Sequence, residues 1–273
     1  MNESNTKVRH ILSLSGGKDS AALAVYMRDR IPEMEYAFCD TGKELPETYE
    51  YLNKMEAYLG KPVQRLNSEF SFDHWLKVYS GFLPSAKMRW CTKSLKIKPF
   101  EKFCGDDTVY SYIGLRADEA REGYISTKPN ITAKYPFKED GIVKADVFRI
   151  LEETGLGVPD YYSWRTRSGC YFCFFQRKAE WVGLSKTHPE LYEKAKAYEK
   201  TEIPTGGRFT WSQGESLEEM ELPERQQRIM SDYEKYLERQ AATAPNQPLI
   251  QLFDAAHGQE DGAEEPPCVI CDL

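Results

Sequence analysis

Hydrophobic positions in the first half of the chain come as short apolar runs separated by stretches of helical spacing. The run 11–14 stops abruptly at Ser15-Gly16-Gly17-Lys18-Asp19-Ser20, and an alanine-rich pattern with Leu23, Val25, Tyr26 and Met27 continues to about residue 30. This reads as a buried strand, a tight turn and a helix over 19–30. Residues 34–40 are again mostly apolar, as a strand covered on both faces requires. Pro46 then opens a helix with Glu47 in its first turn, and Gly60-Lys61-Pro62 closes it, the usual asymmetry of start and stop signals. A short strand at 63–66, a helix at 72–79, a loop through Gly81 and Pro84, and a strand at 108–114 follow. Alternating strands and helices predict an α/β fold, a doubly wound and mostly parallel sheet with helices on both faces. In such sheets ligands lie at the carboxyl ends of the strands, which puts loop 15–20 and Asp40-Thr41-Gly42 on one rim.

The second half reads differently. Residues 125–140, with Pro129 and Pro136, are loop-like, and a helix at 145–151 ends at Gly155, Gly157 and Pro159. Helices are expected at 178–184, 189–200 and 222–239. Thr187 stands three residues before Glu190, with Pro189 between them, a capping-box spacing. Trp181, Leu184, Leu191, Ala195 and Tyr198 are expected in the core, with Ile229, Tyr233, Tyr236 and Leu237 on the packed side of the last helix. Beyond 241 the composition turns to Ala, Pro, Gly, Glu and Asp, for which disorder is the default. The predicted organisation is a disordered stretch at 1–8, a nucleotide-binding domain at 9–125, a cysteine-bearing helical extension at 126–240 and an acidic tail at 241–273.

Composition narrows the classes. The 273 residues, 41% hydrophobic and 29% charged, describe an ordinary globular chain. No apolar run reaches membrane-spanning length and the N-terminus has no apolar signal region, so a cytoplasmic protein with no membrane partner is expected. The seven cysteines are then better read as metal ligands or redox groups than as disulfides. Net charge is −7, but Asp254, Glu260, Asp261, Glu264, Glu265 and Asp272 crowd the tail, leaving the remainder near neutral and able to hold a local basic cleft.

The turn after the first strand carries the most chemistry. Gly16 and Gly17 let the backbone turn and bring its N–H groups close to a ligand. The helix start behind them favours phosphate oxygens, Lys18 adds a full charge, and Ser15 and Ser20 add hydroxyls. It is not a Walker A loop, because Leu12 occupies the place of that motif's first glycine. Lys93, Lys96, Lys98 and Lys102 form either a solvated face or an anion-facing rim. At the end of the 108–114 strand, Arg116 and Arg121 in Gly114-Leu115-Arg116-Ala117-Asp118-Glu119-Ala120-Arg121 either start a salt-bridged helix or clamp a phosphate. Cys170-x-x-Cys173 beside Phe172, Phe174 and Phe175 is either a metal half-site or a pair of buried thiols, and Cys39 and Cys104 are expected in the core.

Taken together, loop 15–20 resembles the pyrophosphate loop of the PP-loop ATP pyrophosphatase superfamily. With Asp40-Thr41-Gly42-Lys43-Glu44, the 114–121 segment, Ser168-Gly169-Cys170-x-x-Cys173 and the cysteine-lysine-proline run from Cys91 to Pro99, the order is similar to the phosphoadenosine-phosphosulfate reductase family of that superfamily. The resemblance spans roughly residues 10–200. It implies an adenine nucleotide alpha hydrolase-like fold and a bound nucleotide. Two features depart from true reductases. The first loop keeps its full Ser-Gly-Gly-Lys-Asp-Ser form, as in members that split ATP between the α and β phosphates, such as the DNA phosphorothioation enzyme. The C-terminus ends in Cys268-Val269-Ile270-Cys271-Asp272-Leu273 rather than in the reductases' catalytic tail.

The resemblance therefore implies adenylation of a substrate oxygen by ATP, with sulfur transfer to a nucleic acid or small molecule. Lys18, Asp19 and Ser20 would act at the departing pyrophosphate. Ser15, Gly16, Gly17, Asp40, Thr41, Gly42, Arg116 and Arg121 would bind nucleotide or an anionic second substrate, with Mg²⁺ on Asp19 and Asp40. Cys91, Cys170 and Cys173 line up with the cysteines that hold a [4Fe–4S] cluster in relatives, with zinc as the alternative. A sulfur donor or a partner protein is implied as well. The alternatives are a thiol-dependent phosphoadenosine-phosphosulfate or adenylyl-sulfate reductase using Cys268 or Cys271, and a nucleotide-binding subunit that needs a partner. Arg165, Arg167, Arg177, Lys178 and Trp164 flank the Cys-x-x-Cys and suit either a nucleic acid or a small anion.

Overall fold

Ile11 and Leu12, adjacent in β1 (Val8–Ser13), are both fully shielded from solvent, so the strand is covered on its two faces. The computed structural model that shows this describes residues 7–120, 123, 126–200 and 207–242. Arg121, Cys268, Cys271 and the tail from 243 onward lie outside the described residues.

β1 leads through the glycine turn into α1 (Lys18–Met27), followed by β2 (Glu35–Asp40), α2 (Pro46–Leu59), β3 (Val63–Asn67) and α3 (Phe72–Val78). A helical stretch then runs through α4 (Trp90–Thr92), a π-helical turn (Lys93–Ile97) and α5 (Lys98–Cys104). Pro99 explains the wide turn. It has no N–H for the preceding turn and its ring would strike the carbonyl four residues back, so the helix widens there instead of breaking. β4 (Thr108–Tyr112), β5 (Ile131–Lys134), α6 (Pro136–Glu139) and α7 (Lys144–Glu153) complete the α/β part.

All four strand pairings are parallel, and the sheet order is β3-β2-β1-β4-β5. β5 corrects the expectation of a loop over 125–140. Its four residues between proline-bearing segments are too few to show periodicity, and pairing with β4, Val109 opposite Ile131, makes it a strand. Side-chain alternation sorts the core into two layers. Leu12, Leu14, Tyr36, Phe38 and Val63 pack against α1, α2 and α7, while Ile11, Ala37, Cys39, Val109 and Ile131 pack against Phe100 and Cys104 of α5. Cys39 and Cys104 are core, as expected.

A second compact unit begins at Phe174 and contains α8 (Lys178–Thr187), α9 (Pro189–Lys196), α10 (Leu217–Met220) and α11 (Pro223–Ala242). Trp181, Tyr192, Trp211, Leu217 and Ile229 are buried in it. Leu191 and Tyr198, expected in the core, are only half-buried, and Tyr192 takes the inward position. Thr187 does not cap α9; it is the last residue of α8, and His188 is the N-cap without a side-chain bond. Glu215 is gripped by Arg225 and by Lys178 (3.0 Å), and these hydrogen bonds hold its carboxyl down at about 2. Among the described residues no helix is long and apolar enough to cross a membrane.

The order of the sheet turns back between β1 and β4, so the loops after these strands diverge around a crevice at their carboxyl ends. Gly114, just past β4, packs against the first turn of α1. A Cβ there would lie 2.9 Å from the Asp19 carbonyl carbon and oxygen, which are backbone atoms that cannot swing away. Gly114→Ala is therefore expected to cost about 1–3 kcal/mol, a fall of roughly 2–10 °C in thermal midpoint by scanning calorimetry. An unchanged midpoint would mean that the strand end and the helix are not locked together.

Candidate active site

The turn between β1 and α1 is crowded from three sides. Gly16 sits at φ +75°, and a Cβ on it would stand 2.5 Å from Cγ2 of Thr48 in α2. On Gly17 a Cβ would meet Ser168 Oγ at 2.7 Å and Tyr162 Oη at 3.2 Å. Segment 161–168 thus lies directly on the turn. Tyr161 Oη donates to the Gly16 carbonyl (2.7 Å), and the Lys18 amide donates to Tyr162 Oη (3.1 Å). Three hydroxyls converge in the same place: Ser15 Oγ is 3.1 Å from Ser20 Oγ and 3.1 Å from Ser168 Oγ.

These groups border a cleft of about 320 Å³ lined by Ser15, Gly17, Lys18, Asp19, Tyr162, Thr166, Arg167 and Ser168. Sequence reasoning found the first four. It missed Tyr162, Thr166 and Ser168, and it gave Arg167 only as a flank of the cysteines, because nothing in the local pattern says that this segment folds back over the turn. The one available signal was the lack of helical or strand periodicity at 160–169 beside two glycine-bearing motifs.

Lys18 is buried, 7% exposed, with Nζ 2.6 Å from Asp19 Oδ2 and 5.5 Å from the centre of the Tyr162 ring. The other Asp19 oxygen accepts from Arg116 (2.7 Å), which also meets Asp118 (2.9 Å) and Glu119 (3.2 Å). Burial works against the Arg116 charge, but Asp19, Glu119 and Asp118 more than offset it and raise its pKa. Arg116 is ion-paired, but no helix starts there, and the pair with Asp19 ties the loop after β4 to the start of α1.

On the neighbouring strand end, Asp40 Oδ1 accepts from the Gly42 amide and from Tyr49 Oη, both at 2.8 Å. Its Oδ2 has no hydrogen bond among the described residues, so Asp40 keeps an oxygen that could ligate a cation. Thr41 Oγ1 donates to Glu44 Oε1 (2.7 Å) and stands 3.2 Å from Cys170 Sγ. The Tyr171 amide donates to the Lys43 carbonyl (2.8 Å), a short antiparallel bridge that fixes the cysteine loop against the end of β2. Arg165, 1% exposed, organises the same loop by donating to the Gly169 (3.1 Å) and Cys170 (3.0 Å) carbonyls.

Cys91, Cys170 and Cys173 are brought into one neighbourhood, since the charge of Cys173 bears on both other thiols. Burial pushes the Cys91 thiol up to about 11 and raises Cys170 further. Lys96, from the π-helical turn, faces them. Burial disfavours its charge, yet Cys170, Glu44, Cys39 and Cys173 together hold its pKa above the ordinary value. Burial also pushes the Glu44 carboxyl up. Sequence reasoning gave Lys96 only as one of a lysine run and gave Glu44 no separate role. Three thiols are a suitable donor set for iron or zinc, but among the described residues no group of three or more Cys, His, Asp or Glu side chains stands in position to hold a metal ion. Two flanking cations have partners of their own: Lys178 pairs with Glu215, and Arg177 lies 4.9 Å from the Tyr236 ring centre.

Residues 9–139 match the sequence profile described as the phosphoadenosine phosphosulfate reductase domain. Two uncharacterized proteins of Methanocaldococcus jannaschii are 27% and 26% identical over 67% of this chain, and the matches span 40% and 45% of those proteins. An uncharacterized nin region protein of Escherichia phage lambda is 24% identical over 64% of this chain and 69% of its own. Among solved structures, a phosphoadenylyl-sulfate reductase from Candida auris in complex with phosphate covers 59% of this chain and 81% of that one, at 16% identity and a TM-score of 0.47. The U34-tRNA thiolase of Methanococcus maripaludis with its [4Fe–4S] cluster covers 78% and 79%, at 16% identity and a TM-score of 0.41. By this profile match, residues 9–139 of the chain carry a phosphoadenosine phosphosulfate reductase domain, folded here around a five-stranded parallel sheet.

Proposed function

We propose that this protein is a PP-loop ATP pyrophosphatase that adenylates an oxygen of its second substrate and thereby prepares that position for sulfur. The observation that carries the reading is the cleft over the glycine turn, where buried Lys18 and the hydroxyls of Ser15, Ser20 and Ser168 converge beside the first turn of α1. A helix start with a lysine and three hydroxyls suits the outer phosphates of a nucleoside triphosphate.

In this reading the acceptor oxygen attacks the α phosphorus. The bond from that phosphorus to the β-bridging oxygen breaks, pyrophosphate leaves, and AMP stays on the acceptor. Lys18 and the turn amides take up charge as it grows on the leaving group. Arg167 lines the same cleft and would add a second cation for the phosphates. Asp40, with its unbonded oxygen, is the better ligand for Mg²⁺, which would neutralise phosphate charge there. Asp19, bound on both oxygens, acts instead by positioning Lys18 and Arg116. A sulfur nucleophile of the hydrosulfide class can then replace the adenylated oxygen with departure of AMP. The thiols of Cys91, Cys170 and Cys173 form the sulfur-handling end of the site.

Two measurements test this. Calorimetry with ATP and magnesium should show binding that Lys18→Ala weakens by about tenfold or more, and any turnover should release pyrophosphate and AMP. Release of orthophosphate and ADP, or undiminished binding in the variant, would sink the reading. For the thiol end, site-resolved iodoacetamide labelling of Cys91 should be slow at neutral pH and rise about tenfold per pH unit to beyond pH 10, because only the thiolate reacts. A plateau near pH 8.5 would show an ordinary thiol.

A further inference from the structure

The helix α3 is pinned to the candidate site by one face and left bare on the other. Phe72 is buried, its ring centre 4.4 Å from that of Phe172 in the cysteine loop and 5.0 Å from that of Trp90. Lys43, in the loop after β2, holds Asp73 at 2.8 Å. The opposite side carries aromatic rings in the open. Phe70, 40% exposed, stacks on exposed His74 with ring centres 4.2 Å apart and planes within 16°. Trp75 stands edge-on to both, at 6.1 and 5.7 Å, and Lys98 Nζ lies 5.3 Å from its centre. Val78, Phe82 and Met88 are exposed nearby in sequence.

The charge of this segment is one-sided in a chain of net charge −7. Between residues 69 and 98, leaving aside Lys96, which faces the thiols, stand Lys77, Lys87, Arg89, Lys93 and Lys98 against Glu69 and Asp73, and Asp73 is already paired with Lys43. A protein-binding patch concentrates apolar groups and excludes lysine from its centre. Here rings and lysines are interleaved, which is how sequence-tolerant single-strand binders work: bases stack on exposed rings while cations follow the phosphates.

We propose that the α3 face, centred on the Phe70–His74 stack, binds single-stranded nucleic acid and leads it to the cysteine end of the site. That the strand is also the acceptor rests on the adenylation reading; the binding does not. A base placed on the exposed stack extends it, and Lys77, Lys93 and Lys98 meet the backbone charge. The anchors Phe72 and Lys43 then fix the bound strand relative to Cys170 and Thr41.

The test uses the full chain and fluorescein-labelled oligothymidylate and oligouridylate of about 20 nucleotides, read by anisotropy. Binding is expected at about 50 mM salt and should weaken by roughly tenfold at about 200 mM, as for a few phosphate contacts. The double variant Phe70→Ala/His74→Ala should lose roughly tenfold or more in affinity. Lys77→Gln with Lys98→Gln should flatten the salt dependence. Affinity for ATP with magnesium, measured on the ring variant by calorimetry, should be unchanged, which also shows that it is folded. No oligonucleotide binding by the parent protein, equal affinity in the ring variant, or binding to phosphatidylserine vesicles without oligonucleotide binding would each overturn the proposal. Oligonucleotide binding without ATP binding would overturn the adenylation reading and leave this one standing.

Discussion

The N-terminal turn of α1 has no spare volume, and most of what is known about this molecule follows from that. Three separate parts of the chain approach the backbone there to within the distance of a missing methyl: Thr48 over Gly16, Ser168 and Tyr162 over Gly17, and Gly114 against Asp19. Backbone packed this closely cannot rearrange cheaply, because Thr48, Ser168 and Gly114 are themselves buried. The turn is therefore held in one shape before any ligand arrives, and its amides need no reordering to meet one. A preorganised set of donors is worth more than a mobile set, since the ordering entropy is lost on folding rather than on binding.

Charge is the second constraint. Lys18, Asp19 and Arg116 sit in series at low exposure, each satisfied by the next, whereas Glu44 and Lys96 act on the Cys170 thiol only through their charge. Buried ion pairs contribute little net stability, because desolvation offsets much of their attraction. The series at the start of α1 is hard to explain as a stability device, and it would suit a site that has to hold a polyanion.

Much of this was legible in the sequence. The strands and helices from 11 to 79 and the strand that starts at 108 follow from apolar runs, Pro and Gly punctuation and the glycine turn, all local signals, whereas the helical stretch at 90–104 was read only as a lysine run. What was not legible depends on contacts across the chain. β5 is four residues long and becomes a strand only by lying beside β4. Thr187 fits a capping box by spacing, but the preceding helix continues through it, a competition that spacing alone does not resolve. Tyr162 and Ser168 enter the site from about 145 residues away by packing on glycine. Arg116 was readable as a phosphate clamp or as part of a salt-bridged helix start, and its pairing with Asp19 across the chain, without a helix, was not legible from local spacing.

The same long-range packing joins the two ends of the site. Ser168 bonds Ser15 at the phosphate turn, and Cys170, two residues later, meets Thr41 and bridges to Glu44. Two residues of chain span at most about 7 Å. The thiol loop and the serine that touches the glycine turn are therefore parts of one short segment, held by Arg165 and by the end of β2. A substrate activated at the α phosphorus would not need to travel, nor would the cysteines need a swinging arm, for sulfur chemistry to follow adenylation in place. Ser168 is thus the direct link between the two ends, each of which also has an anchor of its own: Tyr161 at the turn, Arg165 and the Lys43 carbonyl at the cysteine loop.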